Sequence, residues 1–344
     1  MVKLIDMVRI SNKDLNEAGQ ILKADYNNKD AFNKIASWRR LHTHVINRFK
    51  VSLNRCIKEN KGINQDYIVT QRLKRMPTIL NKISSVRYQG KLSDMQDIGG
   101  LRIIVKNVEE VRYLVSIFAN KKTKQILKRQ LDYITKPKDT GYRGIHLVYK
   151  TQYPSPLYDG LQIEIQFRTE LQHIWATAVE TVDTILNKSL KFDNKDPEWL
   201  DFFALVSSAF ALQEKQPVLE AHKNLLEAEI RGLIIKKEKE LKVKEKIAFV
   251  SELGKTIKEN KLKKLKFVLL IIDIANNQTR YILIEKEDDA NTAYEMHEQG
   301  ILNGVQNDIV LIKIDDIKKL RKAYPNYFLD TTDFVKQLNK ILTH

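Results

Sequence analysis

The chain has 344 residues, of which 43% are hydrophobic and 30% charged, with a formal net charge of +16. That length suits about two domains with real cores. The single cysteine, Cys56, excludes an internal disulfide and a cysteine-based metal site, and it fits a reducing compartment. The positive excess draws polyanions such as nucleotides, RNA or anionic membranes without choosing among them. Lysines also decorate ordinary solvated helix faces, so the arginines, suited to phosphate forks and stacking, are the better guide. Arg9, Asn12, Lys13 and Asp14 break the apolar runs near the start, so no secretory leader is expected. The most apolar stretch, Phe267 to Ile274, is far shorter than the roughly 20 residues a bilayer span needs. A soluble cytoplasmic protein with no membrane partner is expected.

In chain order, residues 1–60 read as a helical segment. Phe32, Ile35, Trp38, Leu41, Val45 and Phe49 recur at helical spacing. Residues 61–213 read as α+β with a mixed β-sheet flanked by helices. Within them Leu101–Val105 is a buried strand and Val108–Phe118 a helix. His146–Tyr153 and Leu161–Arg168 are strands joined by a turn around Pro154, Pro156 and Asp159-Gly160, and Glu170–Leu190 is a helix. Residues 214–344 read as a long charged helix, Val218 to about Lys246, then a small C-terminal α/β domain of ββαβα type. Its strands are Phe267–Ile274, Tyr281–Glu285 and Ile309–Ile314, with Asn276-Asn277 at the hairpin turn, a helix over Asn291–Gln299 and a further helix after the last strand.

Four clusters carry chemistry. Gln162 to Thr169, QIEIQFRT, alternates strictly, so Ile163, Ile165 and Phe167 face one side and Gln162, Glu164, Gln166 and Arg168 the other. An acid, an amide and a base in one row suit a metal and phosphate oxygens, although a solvated strand face looks the same. Asp97 to Val105, DIGGLRIIV, sets an acid before a buried strand and Arg102 inside its apolar run. Asp132 to His146, DYITKPKDTGYRGIH, interleaves Lys136, Lys138 and Arg143 with Tyr133 and Tyr142 on a loop bent by Pro137 and Gly141. Such a loop can hold phosphates and stack a base. Gln71 to Lys82 offers Arg72, Lys74, Arg75 and Lys82. None of these is specific alone.

Taken together and in this order, they resemble the RelA/SpoT alarmone synthetase family over roughly residues 65 to 190. The matching residues are Arg72, Lys74 and Lys82; Asp97, Gly100 and Arg102; Asp132 to His146; and Glu164, Gln166, Arg168 and Thr169. The resemblance implies a nucleotidyltransferase-like synthetase domain. It would move pyrophosphate from ATP to the 3′-hydroxyl of GDP or GTP, making (p)ppGpp of the stringent response. It implies Mg²⁺ held by Asp97 and Glu164, which would also be the catalytic residues, either able to help remove the proton from the 3′-hydroxyl. ATP would be bound by Arg72 and Arg102 on adenine and by Lys74 and Lys82 on its phosphates. The acceptor would meet Lys138, Tyr142, Arg143 and His146, with Gln166 orienting the site. Two departures lie on the acceptor side: Leu131 stands where the family usually has lysine, and Gly144 where it often has serine.

A toxin-like relative that modifies the 3′ end of tRNA and inhibits translation is the alternative, favoured by the charge and the altered acceptor motif. A decayed member acting as a binding module is a third reading, opposed by the intact acids and cations. There is no His-Asp dipeptide, so no manganese-dependent hydrolase activity is expected. Trp175, in the stretch His173 to Glu180, reads as core. Residues 214–344 are expected to form a separable, regulatory unit that could carry a second copy or a protein partner. Tyr324, Tyr327 and Phe328 are expected to be local core or interface residues there.

Overall fold

The structure is a computed structural model. It describes residues 9–60, 62–64, 66–83, 91–120, 124–189, 197–246, 267–273, 278–302, 307–313 and 331–343. The expected Asn276-Asn277 turn and the residues Tyr324, Tyr327 and Phe328 lie outside them.

The helical start is a pair, α1 (Asn12–Ala24) and α2 (Lys29–Glu59). Side chains of Ser11 and Asn28 cap them by accepting from the backbone N–H of Asp14 and Ala31, which satisfies donors that a helix start otherwise leaves open. The apolar stripe of α2, including Phe32, Ile35, Trp38, Leu41, Val45 and Phe49, is buried. It packs on a five-stranded sheet built from β1 (Ile68–Leu73), β2 (Gly99–Val105), β3 (Ile126–Asp132), β4 (Ile145–Lys150) and β5 (Gln162–Thr169). The spatial order is β1-β2-β5-β4-β3. The β2–β5 pair is parallel and the others antiparallel, so the sheet is mixed. Between these strands lie α3 (Met76–Ile83) and α4 (Val108–Ala119), and α5 (Glu170–Ser189) follows β5. Leu101, Ile103, Leu147, Ile163, Ile165 and Phe167 join one core with the stripes of α2 and α4. The opposite face carries the polar half of the alternation.

After α5 comes α6 (Pro197–Gln213), which sequence patterning leaves unassigned. Trp199, Phe202, Phe203, Leu205, Val206 and Phe210 are all buried. A helix apolar around its circumference lacks the one-sided period that betrays most helices. The long helix expected from Val218 to Lys246 is replaced by a short 3-10 turn, Glu220–His222, and by α7 (Glu227–Leu241). Ser208 of α6 is the reason: its Oγ accepts from Leu219 N at 3.2 Å and bonds His222 Nδ1 at 2.8 Å, pinning this stretch in a turn.

The C-terminal elements follow the expected order: β6 (Phe267–Asp273), β7 (Gln278–Ile284), α8 (Glu287–Leu302), β8 (Asn307–Lys313) and α9 (Thr332–Thr343). The three strands form an antiparallel sheet ordered β7-β6-β8, with a small core of Phe267, Leu269, Ile271, Ile284, Ala290, Tyr294 and Ile309. The last helix goes elsewhere. Phe334, Leu338 and Ile341 of α9 share a core with Trp175 of α5, Phe203 and Phe210 of α6, and Ile230 and Ile234 of α7. Residues on both sides of position 214 therefore pack into one apolar cluster. Arg39 of α2 adds a second tie, donating to Lys74 O at 3.3 Å and to Tyr294 Oη of α8 at 3.4 Å. None of the described helices is long and apolar enough to cross a membrane.

Candidate active site

The polar sheet face is organised in cross-strand rows. Register places Arg72, Gly100, Glu164 and Val148 side by side on β1, β2, β5 and β4. The next row holds Thr70, Arg102, Gln166 and His146. Period-two alternation thus carries Arg72, Arg102, Glu164, Gln166 and His146 onto one surface.

Asp97 lies two residues before β2. Lys74 N donates to Ile98 O at 2.8 Å, which fixes Lys74 beside it. Lys74 Nζ and Lys82 Nζ both reach Asp97 Oδ2, at 2.5 and 2.9 Å. Oδ1 is buried and accepts no hydrogen bond among the described residues. Burial alone would raise the carboxyl's pKa, but the two ammonium groups outweigh it and hold it below its usual range. Burial also lowers Lys74 to about 8; Lys82 and Arg72 add to this and Asp97 opposes it.

Glu164 belongs to a closed ring of hydrogen bonds. Its Oε1 meets His146 Nδ1 at 2.9 Å, and its Oε2 accepts from Gln166 Nε2 at 2.7 Å. Gln166 Oε1 accepts from Arg168 Nη2 at 3.1 Å, and that same nitrogen donates to Tyr142 Oη at 2.9 Å. Tyr142 Oη closes the ring on His146 Nε2 at 2.5 Å. A nitrogen facing a carboxylate carries the proton, so Nδ1 donates to Glu164. Burial pushes the Glu164 carboxyl up. The bond and charge of His146, with Gln166 and Arg72, prevail and bring it to about 2.

Arg102 is buried within β2, its Nη2 3.9 Å from Glu180 Oε1 on α5. Burial lowers its guanidinium to about 10; Arg168 and Arg72 add to this and Glu180 opposes. Conversely, Arg102, Arg72 and Arg168 overcome burial to keep Glu180 below the ordinary carboxylate range. A guanidinium plane on this face, with Glu180 beside it, is a group that can stack on an aromatic ring.

On the β4 side, Lys138 Nζ sits over Tyr133 and Tyr142, 4.7 and 5.1 Å from the ring centroids. The Arg168 guanidinium lies 5.0 Å from the Tyr142 centroid. In this conformation cations accompany the Tyr142 ring, so a base stacking on it would have to share or displace one of them. Burial raises the Tyr142 hydroxyl's pKa. Two glycines shape the approach. Gly141 has φ +93°, and a Cβ there would meet Ser207 and Trp175 at 2.9 Å; Gly144 has φ +143°, with Phe167 O 3.1 Å from any Cβ. The glycine at 144 is therefore a backbone requirement here.

Of the residues expected in the site, the structure brings Lys74, Lys82 and Asp97 into one cluster. It brings Glu164, Gln166, His146, Tyr142 and Lys138 into another, with Arg72 and Arg102 on the same sheet face. Arg143 stands apart. Its Nε donates to Ser207 Oγ at 3.1 Å and its Nη1 to Ile134 O at 3.3 Å, so it fastens the loop to α6. Asp132 is likewise a turn former, accepting from Ile134 N and Thr135 N at 2.9 Å. Sequence reasoning gave Arg168 only as the base of the polar strand row and gave Glu180 no role; the structure closes the hydrogen-bond ring through Arg168 and sets Glu180 beside Arg102. Arg168 was visible in the strand alternation. Glu180 is the single acid between Leu171 and Thr181, a signal that can be read only once α5 is known to cover this face.

Comparison with known proteins falls on these residues. Residues 71–183 match the family model described as a region found in RelA / SpoT proteins. The GTP pyrophosphokinase YjbM of Bacillus subtilis (strain 168) is 35% identical over 114 residues, covering 32% of this chain and 52% of that protein. GTP pyrophosphokinase YwaC of the same organism is 29% identical over 126 residues, covering 35% and 59%. The chain thus spans a little over half the length of these curated relatives. Among solved structures, small alarmone synthetase 1 from Bacillus subtilis, bound to its product pppGpp, aligns over 51% of this chain and 90% of that one. The identity is 24% and the TM-score 0.44. The mixed-sheet portion of this chain, residues 71–183, is a RelA/SpoT-family domain.

Proposed function

We propose that this protein transfers the pyrophosphoryl group of ATP to the 3′-hydroxyl of GDP or GTP. The observation that carries the reading is Glu164 on the polar sheet face beside the row of Arg72 and Gly100, with Asp97 just ahead of β2 held by Lys74 and Lys82, Arg102 in the next row, and Tyr142, Lys138 and His146 toward β4. In such a transfer the acceptor's 3′-hydroxyl oxygen bonds the β-phosphorus and releases its proton to solvent, the bond from the β-phosphorus to the α–β bridging oxygen breaks, and AMP leaves carrying that bridging oxygen. Charge spreads over phosphate oxygens, so catalysis is mostly positioning and neutralisation. Arg72 and Arg102 would flank adenine, and Lys74 and Lys82 would move from Asp97 onto phosphate oxygens.

Two carboxylates, with substrate phosphates and water completing six oxygens, suit Mg²⁺. The buried, unsatisfied Oδ1 of Asp97 and the remaining lone pairs of Glu164 fit such an ion. Bound there, Mg²⁺ would neutralise phosphate charge. Glu164 at about 2 is a weak proton acceptor, and Asp97 is also below its ordinary value. Both are tuned to stay ionised, as ligands require, rather than to sit near neutrality as general bases do.

Leu131 in place of a lysine, together with the net charge of +16, favours the 3′ end of tRNA as a second reading. The deciding experiment incubates the protein with γ-labelled ATP, Mg²⁺ and a mixture of GDP, GTP and tRNA. Label in the guanine nucleotide with release of AMP is expected. Label in tRNA despite GDP and GTP would move the assignment to the second reading.

A further inference from the structure

Tyr142 lies between two residues that a single hydroxyl holds. Ser207 Oγ donates to Gly141 O at 2.6 Å and accepts from Arg143 Nε at 3.1 Å. Bonds within the loop close around the same residues: Tyr133 N donates to Gly144 O at 2.9 Å, Lys138 N to Tyr142 O at 3.2 Å and Gly141 N to Lys138 O at 2.8 Å. Those bonds shape the loop, and the bonds of Ser207 tie it to α6 on either side of the tyrosine.

The serine is out of character with its helix. Ser207 is 2% exposed in a helix whose Phe203, Val206 and Phe210 are also buried. A hydroxyl buried in such surroundings costs free energy unless it is bonded, and a helical serine can satisfy itself on the carbonyl one turn back. Ser207 instead commits its donor and an acceptor site to the loop. Gly141 lets the two surfaces meet, since a Cβ there would come within 3.3 Å of the Ala204 backbone. The helix is itself braced. Trp175 Nε1 donates to Phe203 O at 2.8 Å, and Phe203 and Phe210 lie 5.7 and 6.5 Å, between ring centroids, from Phe334 of α9.

The two ends of Tyr142 are therefore held differently. Its ring and hydroxyl meet Lys138, Arg168 and His146, contacts that an entering base would exchange. Its backbone is pinned to a packed helix that a substrate need not disturb. A fixed backbone keeps the ring aimed while its partners change, which is the use of a rigid support behind a binding side chain.

We propose that Ser207 is a positioning residue for the acceptor, acting through Tyr142 by holding Gly141 and Arg143. The word acceptor rests on the pyrophosphokinase reading, but the test needs no turnover. Calorimetric titration of the full chain with GDP, a nonhydrolysable ATP analogue and a short RNA with a free 3′-hydroxyl would compare wild type, Ser207→Ala, Tyr142→Ala and the double variant. Removing one hydroxyl leaves the apolar packing of α6 in place, so Ser207→Ala folds, which circular dichroism checks. It should weaken GDP binding about fivefold, the size of one net hydrogen bond lost from the loop, and leave the ATP analogue unchanged. In the Tyr142→Ala background the same change should cost about twofold or less, because the side chain it positions is gone. A purely structural serine would lower affinity equally in both backgrounds. If wild type takes the RNA and not GDP, the GDP/GTP reading falls, and the same cycle read on the RNA decides the role of Ser207. Unchanged affinity for the acceptor that binds, an equal loss on the ATP analogue, or a loss fully additive with that of Tyr142→Ala would overturn the proposal. Binding of neither acceptor by wild type would overturn it together with the reading it rests on.

Discussion

The two halves of the polar sheet face hold their charges in different ways. Toward β1 and β2, cations are matched to acids: Lys74 and Lys82 to Asp97, Arg102 to Glu180. Toward β3 and β4 the contacts are cation-on-ring and ring-to-imidazole, with Tyr142 between Lys138, Arg168 and His146. Ion pairs of the first kind can be exchanged for phosphate contacts with little rearrangement. The second half is closed around its own tyrosine, so a base entering there must displace something. Under the proposed function the half toward β1 and β2, the donor half, would be preassembled, and the acceptor half would open on binding.

Glu164 lies where the halves meet, and its replacement should have the largest effect. Glu164→Gln keeps the size but removes the charge that a metal and His146 require. Transfer should fall by at least about a hundredfold, a loss of the kind seen when charge stabilisation is removed, while far-ultraviolet circular dichroism stays native. Near-normal turnover would end the metal assignment and the idea that both halves converge on this residue. Gly144→Ser acts on the acceptor half alone. A side chain at φ +143° against Phe167 O should cost about 1–3 kcal/mol of stability. It should also weaken GDP use in steady-state kinetics, with the KM for ATP unchanged. A raised KM for ATP instead would show that the halves are not independent.

Much of this arrangement is legible in the sequence because it rests on local periodicity. The alternation in Gln162–Thr169 separates Ile163, Ile165 and Phe167 from Glu164 and Gln166, and the buried pattern agrees. The apolar spacing of α2 and the buried β2 are equally plain. What stays hidden depends on partners distant in the chain. The exposed edge strand β3 has too few core contacts to show a pattern, and the register shift between Leu127 and Arg129 has no sequence signature. The uniform apolarity of α6 erases its period. Arg143 sits in a motif of site residues, yet Ser207, 64 residues later, claims its guanidinium. The core shared by α6, α7 and α9 is likewise invisible to a reading that places a boundary where composition changes near residue 214.

The most direct test of the division into halves is a kinetic comparison of Arg102→Ala and Tyr142→Ala, each measured against both substrates. Arg102→Ala should raise the KM for ATP by about fivefold or more, the loss of a stacking contact of about 1 kcal/mol, and leave that for GDP unchanged. Tyr142→Ala should do the reverse, by about fivefold to a hundredfold. If Arg102→Ala raised only the KM for GDP, or Tyr142→Ala only that for ATP, the assignment of donor and acceptor to the two sides of this sheet would be contradicted.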